Sequence, residues 1–453
     1  MDRPFLIVSA RPEQAQTARD WARRLNLPFT LAGDKENPAD KSPKLTLRCT
    51  PFDFSQAEQD MLMDALRDHE HMGADLTLEN PAFVPNLKLS IVRAAPAEVA
   101  DKDPRENLQV LPRVKVNRYV PCLEVVRRNM DVFEPFYAAR KPGLILALTE
   151  KCNLRCGMCP FNGDEIPEPL RPYYNAYRER RRSYDLIDFN DVFRVLDLLS
   201  EYGPVHAASF IGPGEPFRHP RVAEIIEALS ERGLTMNFTT NGTLLSKDIL
   251  DRLLRTSGTT MAFSVDAVKE ETYRKIRSTG DFNKVRRTID YLLERRRGPK
   301  HLKIMVSFIR QPVNLAEEES FVDHWRHLAD EVSVVSKYHA GRPEYPPEWT
   351  PRALTPCAHL ENSFHVLVNG DCWACSAGVP DEFFLGNIFT RGPGPVLAAQ
   401  REYARLRYER GYARELCQNC NWWRQTRHVE IFRHGRLSEF RRPYSYKIMG
   451  RQG

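Results

Sequence analysis

The sequence predicts an α/β protein built on a parallel sheet, and two observations carry that expectation. Strand-like and helix-like stretches alternate through residues 143–340. Strands alternating with helices of that length form right-handed βαβ units. The helical stretches open on asparagine or serine caps and close on glycine, in agreement with helix boundary rules. Six strands over about 200 residues are too few for an eight-fold barrel. A partial (β/α)6 barrel, or an open sheet, is therefore expected at the core.

In chain order, residues 1–115 read as a small N-terminal α/β domain. "FLIVSA", "PFTLAG" and "KLTLRCT" are its strands, and "PEQAQTARDWARRLNL" and "SQAEQDMLMDALRDHE" its helices. It contains no chemical motif. Residues 116–142 connect it to the core. Core strands are "GLILALTE", "HAASFIG", "TMNFTTNG", "TMAFSVD", "KIMVSFIRQ" and "EVSVVSKYH". Five prolines among residues 341–356 predict an extended, stiff linker. Residues 357–425 form a cysteine-rich β-hairpin/helix extension, in which "FHVLVNGDCWAC" reads as a hairpin with an Asn-Gly type I′ turn. Residues 426–453 are a basic tail.

Composition narrows the function classes. The 453 residues allow roughly three domains. No apolar run reaches the ~18 residues of a membrane span, and the N-terminus lacks a signal-peptide core and cleavage site. A soluble cytoplasmic protein with reduced cysteines is expected. Eight of the ten cysteines fall into two sets, 152–159 and 357–420, which points to metal or catalysis; Cys49 and Cys122 read as small buried residues. The net charge is +6, and residues 421–453 hold eight Lys/Arg against two Asp/Glu. That excess reads as a solvated tail or as a dock for an acidic partner. The run lacks the motifs of a nucleic-acid-binding fold.

The first cysteine set is "CNLRCGMC", with Cys152, Cys156 and Cys159 spaced C-x3-C-x2-C directly after the first core strand. Closed metal sites use four ligands. Three thiolates on a [4Fe–4S] cube leave one iron open to a small molecule. Ligands of parallel α/β folds bind at the carboxyl ends of strands, where this loop lies. The competing reading is a zinc site completed by a distant histidine.

This motif, after the first strand of a six-unit βα array, resembles the radical S-adenosylmethionine (SAM) superfamily. The resemblance implies that the open iron binds the amino and carboxylate groups of SAM. Reduction then yields a 5′-deoxyadenosyl radical that abstracts hydrogen, the cofactor supplying the chemistry and the protein the position. "GPGEP" resembles the family's glycine-rich segment, with Gly212, Gly214, Glu215 and Pro216 in place. Its glycines allow close backbone approach and its carbonyls can accept from the SAM ammonium. By the same resemblance Asn241 orients the ribose or the Gly-Glu segment. Ser264 contacts ribose or carboxylate, and Arg277 grips the carboxylate. The bland alternative for Arg277 is a surface helix charge. Many members carry an aromatic residue before the third cysteine; Met158 stands there instead, as a thioether cover for adenine.

The second set resembles the SPASM or shorter Twitch extension of radical SAM enzymes. That resemblance implies Cys357, Cys375, Cys417 and Cys420 as ligands of one auxiliary [4Fe–4S] cluster. Cys372 is then a spare thiol, an alternative ligand or an acid–base group. Structural zinc is the competing occupant. Such a cluster would accept an electron from a substrate radical, giving a net oxidation, or shape the pocket. The function implied is a radical SAM oxidoreductase or maturase. Its substrate would be a peptide or small molecule, and its reductant a protein such as flavodoxin or ferredoxin. The alternative is a non-catalytic iron–sulfur or zinc-binding electron-transfer module.

Overall fold

The computed structural model describes residues 143–339 apart from Pro167 and Pro204. It further describes residues 357, 360, 363–375, 380–410, 417 and 420, and strands within 5–117, 342–343 and 428–450. The chain divides into two units: residues 1–139, 347–356 and 423–443 in one, and residues 140–346, 357–422 and 444–453 in the other.

The second unit holds the barrel. Its six parallel strands are β1 Gly143–Leu146, β2 Ala207–Phe210, β3 Thr235–Thr240, β4 Thr259–Ser264, β5 Leu302–Arg310 and β6 Glu331–Ser336. They pair in sequence order, with Leu144 opposite Ala208, Phe210 opposite Phe238, Thr240 opposite Phe263, and Val306 opposite both Phe263 and Val332. Side chains alternate across each strand. In β5 the residues Leu302, Ile304, Val306 and Phe308 are buried, while the alternate positions through Ser307 are half-open.

The buried face packs on helices α2 Phe189–Ser200, α3 Val222–Glu231, α4 Lys247–Leu253, α6 Phe282–Arg295 and α7 Glu318–Trp325. Asp188, Ser246 and Asp281 cap α2, α4 and α6 through their side chains, fixing where each helix starts. Phe238, Phe263 and Phe308 are fully buried in this layer. Truncating one to alanine would cost about 3–5 kcal/mol. Two further helices complete the unit's first half. Helix α1, Arg171–Arg180, lies within a stretch the sequence reading left unassigned, and α5 spans Glu270–Arg277.

The cysteine-rich extension continues the barrel sheet. Strand β7, Ser363–Val366, pairs parallel to β1, with Val366 opposite Leu146. Strand β8, Asp371–Trp373, returns antiparallel, and β9, Phe384–Asn387, follows it. The β7–β8 turn differs from the expected type I′. Gly370 N–H donates to Leu367 O at 3.0 Å, so Val368 and Asn369 are the central residues. Gly370 follows at φ +84, whereas Asn369 is not among the positive-φ residues that a type I′ turn requires. The ring of Phe389 lies where a Gly370 Cβ would stand, 2.2 Å away, so the position admits only glycine.

The other unit is a mixed sheet. Strands Phe5–Ser9, Thr30–Ala32 and Lys44–Leu47 match the three expected strands, joined by Leu76–Glu79, Lys88–Val92 and Arg113–Asn117. The two helices expected there, and Cys49 and Cys122, lie outside the described residues.

The described residues of the stretch read as a basic tail form strands. His428–Arg433 pairs with Arg113–Asn117, and Arg436–Arg442 forms a hairpin with it. Strand β10, Ser445–Met449, closes the free edge of β6 in the barrel unit. Of the proline-rich linker, Arg342–Pro343 pairs with Tyr338–His339. No helix among the described residues is long and apolar enough to cross a membrane.

Candidate functional site

The site begins where β1 ends. The Thr149 hydroxyl lies 3.0 Å from the carbonyls of both Lys151 and Glu215, and Glu215 N–H donates to Lys151 O at 3.1 Å. These contacts stitch "GPGEP" onto the start of the cysteine loop. A Cβ on Gly214 would sit 2.2 Å from Thr149 Oγ1 and 2.4 Å from Lys151 O, so the approach requires glycine. Gly212 packs on Ala147, and Pro216 starts a short buried turn.

The Glu215 carboxylate is buried among donors. It accepts from Thr240 Oγ1 at 2.6 Å, Asn241 N–H at 2.8 Å and Phe217 N–H at 3.3 Å. Burial pushes its pKa up to about 7, against the pull of these hydrogen bonds. The Asn241 side chain turns the other way. Its amide donates to Asn153 Oδ1 at 3.0 Å and toward Cys152 Sγ at 3.7 Å, while its oxygen accepts from Thr243. Asn241 thus ties the Gly-Glu segment to the cysteine loop.

Each sulfur of the first set faces N–H donors. Cys152 Sγ accepts from Leu154 N–H at 3.4 Å as well as from Asn241. Arg277 Nη1 lies 3.8 Å from Cys156 Sγ, and Asn162 Nδ2 lies 3.9 Å from Cys159 Sγ. Cys159 N–H donates to Cys156 O at 2.9 Å, which folds the C-x2-C turn. Leu154, Cys156, Met158 and Ile276 form a buried apolar cluster, with Cys152 and Cys159 against it. Burial raises the Cys152 thiol to about 11 and raises Cys156 too, so both protons must leave when a metal binds. Soft sulfurs backed by N–H donors and shielded by apolar side chains fit an iron–sulfur cluster. Among the described residues no group of three Cys, His, Asp or Glu side chains gathers around a point that could hold a single metal ion.

Met158 packs within that cluster. Ser264 is half-buried at the end of β4, without a side-chain hydrogen bond among the described residues. Arg277 is 7% exposed, which overturns the surface-charge alternative. It forms an ion pair with Asp266, a residue the sequence reading passed over. Asp266 is fully buried at φ +62 and accepts from Ile309 N–H at 2.7 Å. Burial works against the Arg277 charge, but Asp266 and Cys156 hold the guanidinium above its ordinary range. The fork is therefore already engaged by a carboxylate of this chain. Asn153, Asn162, Arg178 and Arg181 were also missed. Their signal was proximity alone: two sit in or beside the cysteine motif, and two in "RERRR".

In the second set Cys375 is buried, and Cys357, Cys417 and Cys420 are half-buried. Cys420 N–H donates to Cys417 O at 3.1 Å, a turn like that of the first C-x2-C. Cys372 is fully buried inside β8, its thiol donating to Gly370 O at 3.5 Å and raised by burial. Aromatic rings join the two cysteine-bearing segments. Phe161 stacks on Trp373 at 6.1 Å, and Tyr177 packs against both. Burial raises the Tyr174 hydroxyl, and Cys375 and Cys159 are both close enough to add to the effect.

Residues 146–310 match the family model of the radical SAM superfamily, and residues 357–421 that of SPASM, an iron–sulfur cluster-binding domain. A Pyrococcus furiosus tungsten-containing aldehyde ferredoxin oxidoreductase cofactor-modifying protein is 30% identical over 125 residues, 28% of this chain and 31% of that protein. A Desulforamulus reducens GTP 3′,8-cyclase is 27% identical over 164 residues, 36% of this chain and 46% of that protein. The chain thus spans less than half of either relative. The crystal structure of Streptococcus suis SuiB bound to precursor peptide SuiA aligns over 80% of this chain and 88% of that one, at a TM-score of 0.46 and 14% identity. The chain belongs to the radical SAM superfamily and carries a C-terminal SPASM domain, which implies a [4Fe–4S] cluster, SAM and further iron–sulfur binding.

Proposed function

We propose that this protein is a radical SAM oxidoreductase or maturase acting on a peptide or a small molecule. The observation that carries the reading is the set of three sulfurs, each met by an N–H donor, beside the Glu215–Asn241 contact at the strand ends. Cys152, Cys156 and Cys159 would hold a [4Fe–4S] cluster, and cluster and SAM together would supply hydrogen-abstracting radical chemistry. Leu154, Met158 and Ile276 shield the sulfurs from water. Gly212, Gly214, Glu215 and Pro216 bring backbone carbonyls to the cofactor, Asn241 keeps that segment on the cysteine loop, and Ser264 offers a free hydroxyl. Arg277, paired with Asp266, anchors the loop through Cys156.

Cys357, Cys375, Cys417 and Cys420 would hold an auxiliary [4Fe–4S] cluster, which would supply an electron acceptor for a net oxidation of the substrate. A small reductant protein of the flavodoxin or ferredoxin kind supplies the reducing electron. The knot around Glu215 counts against a pure electron carrier, which needs no cofactor cleft. The test is anaerobic reconstitution with iron and sulfide, then incubation with dithionite and SAM. Formation of 5′-deoxyadenosine is expected, and its absence from cluster-loaded protein rejects the reading.

A further inference from the structure

Four cationic side chains gather around one recess of the barrel unit. Lys151, Arg155, Arg178 and Arg181 line a cavity of about 260 Å3, with Asp164 as its acidic lining residue. The two helix-borne arginines bond only neutral partners. Arg178 donates to the carbonyls of Phe161 at 3.1 Å and Pro160 at 3.0 Å, and to that of Gly163. Arg181 donates to the carbonyls of Glu150 at 2.7 Å and Phe161 at 2.6 Å, and to Asn162 Oδ1 at 2.8 Å.

None of the four has an ion pair among the described residues, although most arginines around them do. The Glu150 carboxyl stands near Arg181, but it is bonded to Tyr177 and burial raises it toward the neutral form. Four basic residues and one acidic residue thus line a small recess. Burial first, and then the charge of Arg181, push Arg178 below its ordinary range, against the opposing pull of Asp164. The carbonyls hold the guanidinium planes in place without neutralising them. A preorganised, electropositive recess of this kind attracts an oxyanion and gives it charge-assisted hydrogen bonds.

We infer that this recess is an oxyanion subsite, which binds a phosphate or carboxylate group of the substrate beside the loop of Cys152, Cys156 and Cys159. Lys151 directly precedes Cys152, Arg155 directly precedes Cys156, and Phe161 and Asn162 follow Cys159, so the anion would be held next to the radical centre. A substrate tethered there by its charged end presents a fixed part of itself to the reacting atoms. Assigning the anion to the substrate rests on the radical SAM reading above; the affinity of the recess for an anion does not.

The test is titration calorimetry on the full, cluster-loaded chain with pyrophosphate and, separately, glutarate. Saturable binding of at least one probe is expected, and the tighter of the two identifies phosphate or carboxylate as the group recognised. Lys151→Gln with Arg155→Gln should weaken binding roughly tenfold, and Asp164→Asn should tighten it roughly threefold. Asp164 is exposed, so its variant carries the test if the double variant does not fold. Absence of saturable binding, or affinity unmoved by Asp164→Asn, overturns the subsite. Displacement of the probe by SAM overturns its assignment to the substrate. Formation of 5′-deoxyadenosine without anion binding rejects the subsite alone. Anion binding without 5′-deoxyadenosine leaves the recess standing and rejects the radical chemistry.

Discussion

The Glu215 carboxylate accepts the backbone N–H of Asn241 at 2.8 Å, and so joins the loops after β2 and β3 through two buried residues. Burial is the larger influence and raises Glu215 from 4.5 to about 7. The folded state therefore holds this proton where the unfolded chain has lost it. The stability this proton contributes is present below about pH 4.5 and is lost as pH rises toward 7. In cluster-free protein the loss should be on the order of 3 kcal/mol. Urea midpoints at about pH 5 and about pH 8 measure it. Glu215→Gln should flatten the profile across this window; an unchanged profile assigns the slope to another group.

Gly214→Ala would place a methyl on Thr149 Oγ1 and on the Lys151 carbonyl. Backbone cannot step aside as a flexible side chain can. The expected cost is about 1–3 kcal/mol, with a loss of 5′-deoxyadenosine formation larger than the loss of folded protein. Thermal melts beside product yield separate the two effects.

Arg277 and Asp266 form a buried pair. Removing one partner strands the other, so Asp266→Ala should cost about 3–5 kcal/mol. Arg277→Lys keeps the charge but loses the fork that reaches Asp266 and Cys156 together. Iron content should stay unchanged. The midpoint potential of the first cluster should become more negative, because the lost N–H favoured the reduced, more anionic form. Potentiometry followed by electron paramagnetic resonance reads the shift; an unmoved potential means that the Arg277–Cys156 contact is incidental.

The cysteines divide by what they touch. Cys152→Ala, Cys156→Ala and Cys159→Ala combined should remove one cluster and all SAM cleavage while the second cluster survives. Cys375→Ala should lower iron and sulfide by one cluster yet leave abortive SAM cleavage measurable. Cys372 lies inside β8 with its thiol on Gly370 O, so Cys372→Ala should keep all the iron and lose only packing, about 1 kcal/mol. Iron loss in Cys372→Ala with retention in Cys375→Ala would invert the ligand choice.

Local regularity made the barrel legible. The β5 residues Leu302, Ile304, Val306 and Phe308 alternate with half-open neighbours, and the strand was placed to within a residue. The spacing of Cys152, Cys156 and Cys159 can be read directly from the sequence; the N–H donor that meets each sulfur cannot. Arg277 was singled out, but its partner Asp266 was not, since an acid in a left-handed turn has no periodicity to announce it. The Asn369–Gly370 pair suggested the commoner two-residue turn; the packing of Phe389 on Gly370 accompanies the wider one. "HVEIFR" and "RLSEFRR" were read by their charge, which concealed the alternation of a hairpin.

That hairpin sets a timetable for synthesis. Val116 and its neighbours pair with Val429 and its neighbours, which leave the ribosome roughly 300 residues later, on the order of half a minute at ordinary elongation rates. Throughout that interval the strand Arg113–Asn117 has one edge without its native partner, a template for any passing strand. The N-terminal unit is thus encoded early and completed late, and a nascent chain that stalls before His428 would be a natural client for a holdase chaperone.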